Sequence, residues 1–377
     1  MATSPAFSRY ARHVVLPEVG QTGQVRLKRS SVLVIGAGGL GSPVIQYLAA
    51  AGVGTLGAID PDRVDESNLQ RQVIHRTDRV GIAKVRSAAE FVAALNPEVT
   101  FIPIEDRLTS HNALEVLRPY DVIVDGTDNF PSRYLINDAC VMLGKPNVYG
   151  SVFRFEGQAS VFDARRGPCY RCLYPAPPPP EMAPDCSDAG VLGVMPGLVG
   201  MVQATETLKL LLGIGEPLIG RLLLVDALRP EMRELRFEKD HTCPVCSDHP
   251  SITSLLDYEE FCKSARTNEG GPMIAEMSVQ ELKERMDRQT PPLLLDVRQA
   301  EEHQFVNIGG TLIPLHELPQ RFAELDPSQE WVVYCRSGSR SANAVRFLEQ
   351  QGFTNVKNLR GGILAWSSTI DPTKPTY

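Results

Sequence analysis

Cys169-Tyr170-Arg171-Cys172 and Cys243-Pro244-Val245-Cys246 are two C-x₂-C pairs. Four thiolates offered as two knuckles suit a closed tetrahedral zinc site that would tie two distant stretches of chain together. About seventy residues separate the pairs, so two unrelated cysteine pairs, or two redox pairs, remain the alternative. His241 and His249 flank the second pair, but Cys169, Cys172, Cys243 and Cys246 already complete a four-ligand shell. A different thiol, Cys335, lies in Val332-Val333-Tyr334-Cys335-Arg336-Ser337-Gly338-Ser339-Arg340-Ser341, a strand running into a short loop and then a helix. Backbone amides and a helix N-terminus at such a junction stabilise a thiolate or persulfide anion, and Arg336 and Arg340 add positive charge. Cysteine phosphatases cradle phosphate in a C-x₅-R loop of this kind. Here four residues separate Cys335 from Arg340, and the shorter loop favours a smaller group such as sulfane sulfur.

The third chemical feature is a glycine turn. Ser31-Val32-Leu33-Val34-Ile35 breaks into Gly36-Ala37-Gly38-Gly39-Leu40-Gly41, and a helical segment follows to about Ala51. Gly36, Gly38 and Gly41 satisfy G-x-G-x-x-G, with helix N-terminal amides aimed at an anion above the turn. Asp60, about twenty residues on, ends a second apolar run (55–59), where a ribose hydroxyl would be held. The motif alone does not separate a dinucleotide from ATP. Asn68-Leu69-Gln70-Arg71-Gln72, Lys84 and Asp128-Asn129 add two cations, an acid and several amides just beyond strand ends. Arg71 or Lys84 taken singly reads as a solvated surface charge. Together the cations suit a triphosphate, with Asp128 able to hold Mg²⁺, and a hydride carrier does not need this set.

These groups need a scaffold at strand ends. Apolar runs at 32–35, 55–59, 99–104, 121–124 and 146–149 alternate with helical patterns, the signature of a mostly parallel, Rossmann-like α/β sheet covered on both faces. Shorter runs at 152–155, 158–162, 221–225 and 231–237 read as an antiparallel extension. Pro175 to Pro180 breaks regular structure, so the stretch from Tyr174 to about Ala189, with Cys186 inside it, is expected to be a surface loop. The expected organisation is a first domain over 1–246, a linker over 247–271 ending in Asn268-Glu269-Gly270-Gly271, and a small α/β domain over 272–377. Its candidate strands are 273–276, 293–295, 311–313, 331–334 and 355–358, with helices near 280–288 and 340–351.

The 377 residues suit two domains, and a net charge of −7 gives no reason to expect nucleic acid or an acidic membrane as a partner. The first ten residues lack a signal-peptide pattern, and Pro196, Gln203, Glu206 and Lys209 interrupt the most apolar long segment, so a cytoplasmic location is expected. Eight cysteines in that reducing setting argue for metal or catalytic use over disulfides.

Arg9-Tyr10-Ala11-Arg12-His13, the glycine turn, Ser67 to Gln72, Gly81-Ile82-Ala83-Lys84, Asp125-Gly126-Thr127-Asp128-Asn129 and the two cysteine pairs occur in one order. In that order they resemble the bacterial E1-like adenylating enzymes of the ThiF and MoeB type, which activate ubiquitin-like sulfur carriers. The resemblance covers most of 7–250 and implies transfer of AMP from Mg-ATP to the C-terminal Gly-Gly carboxylate of a carrier protein, with release of pyrophosphate. On the matching positions Gly39 and its neighbours would contact the nucleotide, Asp60 the ribose, Arg71 and Lys84 the phosphates, and Asp128 Mg²⁺. It further implies a homodimer in which Arg12 reaches the partner's nucleotide, and it places Cys186 in a mobile crossover loop. A guanidinium given in trans would offset charge developing on the α-phosphate.

Leu294-Leu295-Asp296-Val297-Arg298, the Cys335 loop and Asn358 to Trp366 are similar in order to the landmarks of single-domain rhodaneses. That resemblance implies a persulfide on Cys335. One departure is Asn307-Ile308-Gly309-Gly310, where such domains usually carry a histidine before the isoleucine; the position is expected to be structural. Joined, the two halves imply a carrier thiocarboxylate, made from a mixed anhydride and a persulfide supplied by a cysteine desulfurase or thiosulfate. Two other readings stand beside it: a nicotinamide-dependent oxidoreductase with an appended redox module, and a non-catalytic zinc-stapled scaffold that recruits a carrier.

Overall fold

The computed structural model of the chain describes residues 5–177, 190–229, 231–267 and 274–374. They form two compact units, one built up to Ala265 and one from Arg266 onward.

In the first unit, Val32-Leu33-Val34-Ile35 is buried along β1 (Ser31–Ile35), as expected of a strand that faces a packed layer on both sides. Around it lie β2 (Thr55–Ile59), β3 (Thr100–Ile104), β4 (Val122–Asp125), β5 (Asn147–Phe153), β6 (Glu156–Phe162), β7 (Arg221–Asp226) and β8 (Glu231–Arg236). The sheet order is β3-β2-β1-β4-β5-β6-β7-β8. The pairs from β3 to β5 are parallel and those from β5 to β8 antiparallel. The run expected as a strand over 152–155 is the end of β5 and a tight hairpin, turned by Arg154 at φ 53°. Chain order reverses between β1 and β4, so their carboxyl ends open onto the crevice where α/β sheets bind ligands.

Helices cover both faces. Gly41–Ala51 and Val194–Leu212 pack together over one apolar cluster that includes Val34, Val44, Leu48 and Val199. Phe130–Leu143 covers the other face, with Tyr134, Ile136 and Tyr170. A helix also forms at Tyr258–Thr267, inside the stretch expected as linker. Its Tyr258 and Cys262 are buried in this second cluster. Six carbons of a tyrosine ring and a thiol find enough apolar surface there to hold the helix on the first unit.

The second unit is a five-stranded parallel sheet of β9 (Glu276–Met277), β10 (Leu293–Asp296), β11 (Thr311–Leu312), β12 (Trp331–Tyr334) and β13 (Val356–Leu359). Its order is β11-β10-β12-β13-β9. β12 is buried throughout and central, and Cys335 follows it directly. The helices near Cys335 are Ala300–Phe305, Ser339–Gln350 and Gly362–Thr369.

Candidate functional site

The glycine turn starts at the end of β1. Gly36 takes φ +93°, and a Cβ on Gly41 would lie 1.9 Å from the Gly36 carbonyl oxygen, so only glycine lets the turn close this tightly. A Cβ on Gly36 would meet the carbonyl oxygen of Gly126 at 2.9 Å, which presses the Asp125-Gly126-Thr127-Asp128 loop against the turn. Asp125 shapes that loop by accepting from the Thr127 amide at 2.9 Å and its hydroxyl at 2.6 Å. Asp128 stands exposed two residues past Gly126, and Asn129 caps the Phe130–Leu143 helix by accepting from the Ser132 amide.

A ring of hydrogen bonds fixes the Ala37 peptide from both sides. Its N–H donates to Asp60 Oδ2 at 2.8 Å, and the Asp62 N–H donates to Asp60 Oδ1 at 2.8 Å. Lys84 Nζ donates to Asp62 Oδ2 at 2.8 Å. On the other side His75 Nε2 donates to the Ala37 carbonyl at 2.9 Å, because a carbonyl only accepts, and His75 Nδ1 then accepts from Ser87 at 2.9 Å. Ser87 and Lys84 share the Lys84–Leu95 helix, which closes the ring. Burial raises the Asp60 carboxyl above its ordinary range and pushes His75 down. Two of the four lone-pair directions of Asp60 serve the backbone, leaving others for a ribose hydroxyl.

Arg71, half-buried, donates to the Ser67 carbonyl at 3.1 Å and flanks the turn: a Cβ on Gly39 would lie 3.6 Å from its side chain. Asn68 is also half-buried on this segment. The glycine turn is thus bordered by Arg71 through Gly39, by the Gly126 loop that leads to Asp128, and by Asp60, which Asp62 links to Lys84. Arg12 is exposed on the short Ala11–Val14 helix, anchored through Tyr10, whose hydroxyl accepts from Asn96 at 2.9 Å. Cys186 lies outside the described residues.

The four knuckle cysteines come together as one cluster, with all sulfurs within 4.8 Å of one another. Cys169–Cys243, Cys169–Cys172 and Cys172–Cys246 are 3.6, 3.9 and 3.4 Å apart. A tetrahedron with Zn–S bonds of about 2.3 Å has edges of about 3.8 Å, so the donor set and its size fit zinc. Arg171, within the first knuckle, makes a bidentate bond to Asp138, with Nη2 to Oδ2 at 2.8 Å. Both side chains are buried, and Tyr258 donates to the same carboxylate at 2.8 Å.

In the second unit Cys335 is fully buried at the mouth of its loop. Its sulfur accepts from the Gly338 amide at 3.2 Å. The amides of Ile363 and Leu364 donate to the carbonyls of Cys335 and Arg336, so the following helix pins the loop from behind. A Cβ on Gly362 would lie 2.5 Å from the Cys335 carbonyl oxygen, which accounts for glycine in Arg360-Gly361-Gly362. Arg340 points its fork at Glu302, with two bonds of 2.7 Å. Asn307 donates to the His303 carbonyl at 2.8 Å and accepts from the Gly309 amide, holding the loop before β11.

The ThiF family matches residues 10–245, and the rhodanese-like domain matches residues 278–369. The chain belongs to the ThiF family. Its second unit is a rhodanese-like domain. "Probable adenylyltransferase/sulfurtransferase MoeZ" of Mycobacterium tuberculosis is 46% identical over 382 residues, covering 98% of this chain and 95% of that protein. "Adenylyltransferase and sulfurtransferase MOCS3" of Aedes aegypti is 42% identical, covering 98% and 89%. "Sulfur carrier protein adenylyltransferase" of Thermus thermophilus is 54% identical over 265 residues, covering 69% of this chain and 98% of that protein. Among solved structures, E. coli MccB with ATP has a similar fold at TM-score 0.54 and 21% identity, over 59% of this chain and 68% of that one.

By this membership the chain is an adenylyltransferase joined to a sulfurtransferase, and ATP use fits its ThiF half. The oxidoreductase and non-catalytic scaffold readings are set aside. Within the ThiF crevice, sequence reasoning missed His75, Asp62 and Gln203. His75 lies three residues past Gln72 and Asp62 two past Asp60, which was the available signal. Gln203, from the Val194–Leu212 helix, donates to the Asp125 and Val148 carbonyls at 2.7 and 3.0 Å, and nothing in its sequence neighbourhood announces that reach. No helix among the described residues is long and apolar enough to cross a membrane.

Proposed function

We propose that this enzyme adenylates the C-terminal glycine of a ubiquitin-like carrier ending in Gly-Gly and then converts it to a thiocarboxylate. What supports the first step is the glycine turn at the β1/β4 switch point, with Arg71 beside Gly39, the Gly126 loop pressed on Gly36, and Lys84 linked to the turn through Asp62 and Asp60. The carrier carboxylate attacks the α-phosphorus of ATP; the bond to the β-phosphate oxygen breaks and pyrophosphate leaves. Turn amides, Arg71 and Lys84 meet phosphate charge, Asn68 lines the site, and Asp60 holds the ribose. Asp128 would hold Mg²⁺, which when bound offsets charge on the phosphates. Cys169, Cys172, Cys243 and Cys246 would hold a structural Zn²⁺.

In the second step Cys335 carries a persulfide, loaded by a cysteine desulfurase or thiosulfate. Its terminal sulfur attacks the acyl carbon and AMP leaves, which gives an acyl disulfide. A second thiolate attacks the Cys335 sulfur, releasing the thiocarboxylate and leaving a disulfide that a cellular dithiol reduces. Cys186 is assigned either that attack or an earlier displacement of AMP. The Gly338 amide, donating to the Cys335 sulfur, supports an anionic sulfur there.

The reading includes a homodimer in which Arg12 enters the partner's site, a cytoplasmic location, an adenylylating domain over 1–246 and a sulfurtransferase domain over 272–377. ATP–pyrophosphate exchange tests it: exchange should require a Gly-Gly carrier and vanish in Asp128→Ala. Exchange that persists in that variant contradicts the assignment.

A further inference from the structure

Ser341 stands between the reacting sulfur and an amide. Its Oγ lies 2.7 Å from Asn358 Oδ1, 3.1 Å from the Gly338 carbonyl oxygen and 3.4 Å from Cys335 Sγ. Ser341 and Cys335 are fully buried and Asn358 nearly so, so water does not stand in for a missing partner. One hydroxyl has one proton for these three acceptors. Asn358 cannot be turned to supply a donor: its Nδ2 faces Glu276 Oε1 at 3.2 Å, a carboxylate oxygen that only accepts. Its Oδ1 therefore faces Ser341, and the shortest of the three contacts takes the proton. Ser341 then shows the sulfur lone pairs, which accept from an S–H and repel a thiolate.

We propose that Asn358 competes with Cys335 for the Ser341 hydroxyl proton, so that the Asn358–Ser341 pair sets how much of Cys335 is thiolate. When the sulfur is anionic, the hydroxyl rotates from Asn358 to Cys335 and joins the Gly338 amide as a second donor. Ser341 touches the reacting sulfur, and Asn358 is a positioning residue acting through it. The proposal rests on Cys335 being the sulfur-carrying thiol.

The test is the rate of iodoacetamide alkylation of Cys335 at neutral pH in the reduced full-length chain, followed by peptide mass spectrometry. The two substitutions have opposite signs. Ser341→Ala removes the donor and slows alkylation about fivefold, while Asn358→Leu frees the proton and speeds it about fivefold, the worth of one hydrogen bond. The double variant follows Ser341→Ala, because Asn358 acts only through the hydroxyl. Arg336, Arg340 and the Gly338 amide are present in every variant, so the comparison isolates this proton. Asn358→Ala replaces the leucine variant if that chain does not fold. Slowed or unchanged alkylation in the Asn358 variant, or a double variant that stays fast, overturns the proposal. Thiosulfate loading of wild-type Cys335 tests the sulfurtransferase reading separately, since alkylation reports thiolate whether or not sulfur is carried.

Discussion

Lys84 Nζ lies 2.8 Å from Asp62 Oδ2, with the lysine side chain 8% exposed and the aspartate 61% exposed. The lysine side chain is buried while its charge is held by a partner that water also solvates. Removing that charge should damage chemistry far more than folding. Lys84→Met, which keeps the packed stem, is expected to lower ATP–pyrophosphate exchange by about 100-fold or more. Chemical denaturation of the same variant should change by under about 1 kcal/mol, because Asp62 is not stranded by the loss.

Arg171 and Asp138 behave in the opposite way. Both are buried, and Arg171 also lies over the rings of Tyr134 and Phe261 at 4.7 Å. Arg171→Met leaves an unpaired buried carboxylate and should cost about 3–5 kcal/mol in the unfolding of the first unit. Circular dichroism against urea would measure it. Tyr258→Phe, which removes one donor to the same carboxylate, should cost about 1–2 kcal/mol.

Metal removal is expected to act on stability. Elemental analysis should find one zinc per chain, and Cys243→Ser should lose it. Chelation should lower the melting temperature by about 5 °C or more, since the two knuckles are 74 residues apart and the metal closes that loop.

His75 gives a pH signature. Burial pushes its pKa below the ordinary value of about 6.5, so the unfolded chain takes a proton first as pH falls. Its contribution is intact above about pH 6.5 and is lost as pH falls from there toward the folded value. His75→Gln should flatten the fall of unfolding free energy between about pH 7 and about pH 5 relative to wild type.

Much of this was legible in the chain. The continuous apolar runs at 32–35, 55–59 and 331–334 announced buried parallel strands, and each ended at a residue of chemical interest. The four knuckle cysteines were legible by type and spacing. Contacts made through space were not. Arg340, read as charge for Cys335, is gripped by Glu302, 38 residues away. Asp138 pairs with Arg171 across 33 residues, and no local pattern distinguishes either from a surface charge. The Tyr258–Thr267 helix sat in a polar stretch read as linker, because Glu259 and Glu260 masked the buried Tyr258 and Cys262. His75 was one histidine among seven, visible as a hub only when Ala37 and Ser87 closed on it.

The most direct measurement is intact mass spectrometry of a Gly-Gly carrier after incubation with the enzyme, Mg-ATP, a dithiol and a sulfur donor. The account predicts a carrier heavier by the difference between one sulfur and one oxygen. Asp128→Ala should leave the carrier unmodified, and Cys335→Ser should stop at adenylation, seen as carrier-dependent pyrophosphate release without sulfur gain. A carrier that gains sulfur equally well with Cys335→Ser, or one left unchanged by the wild-type enzyme, would contradict it.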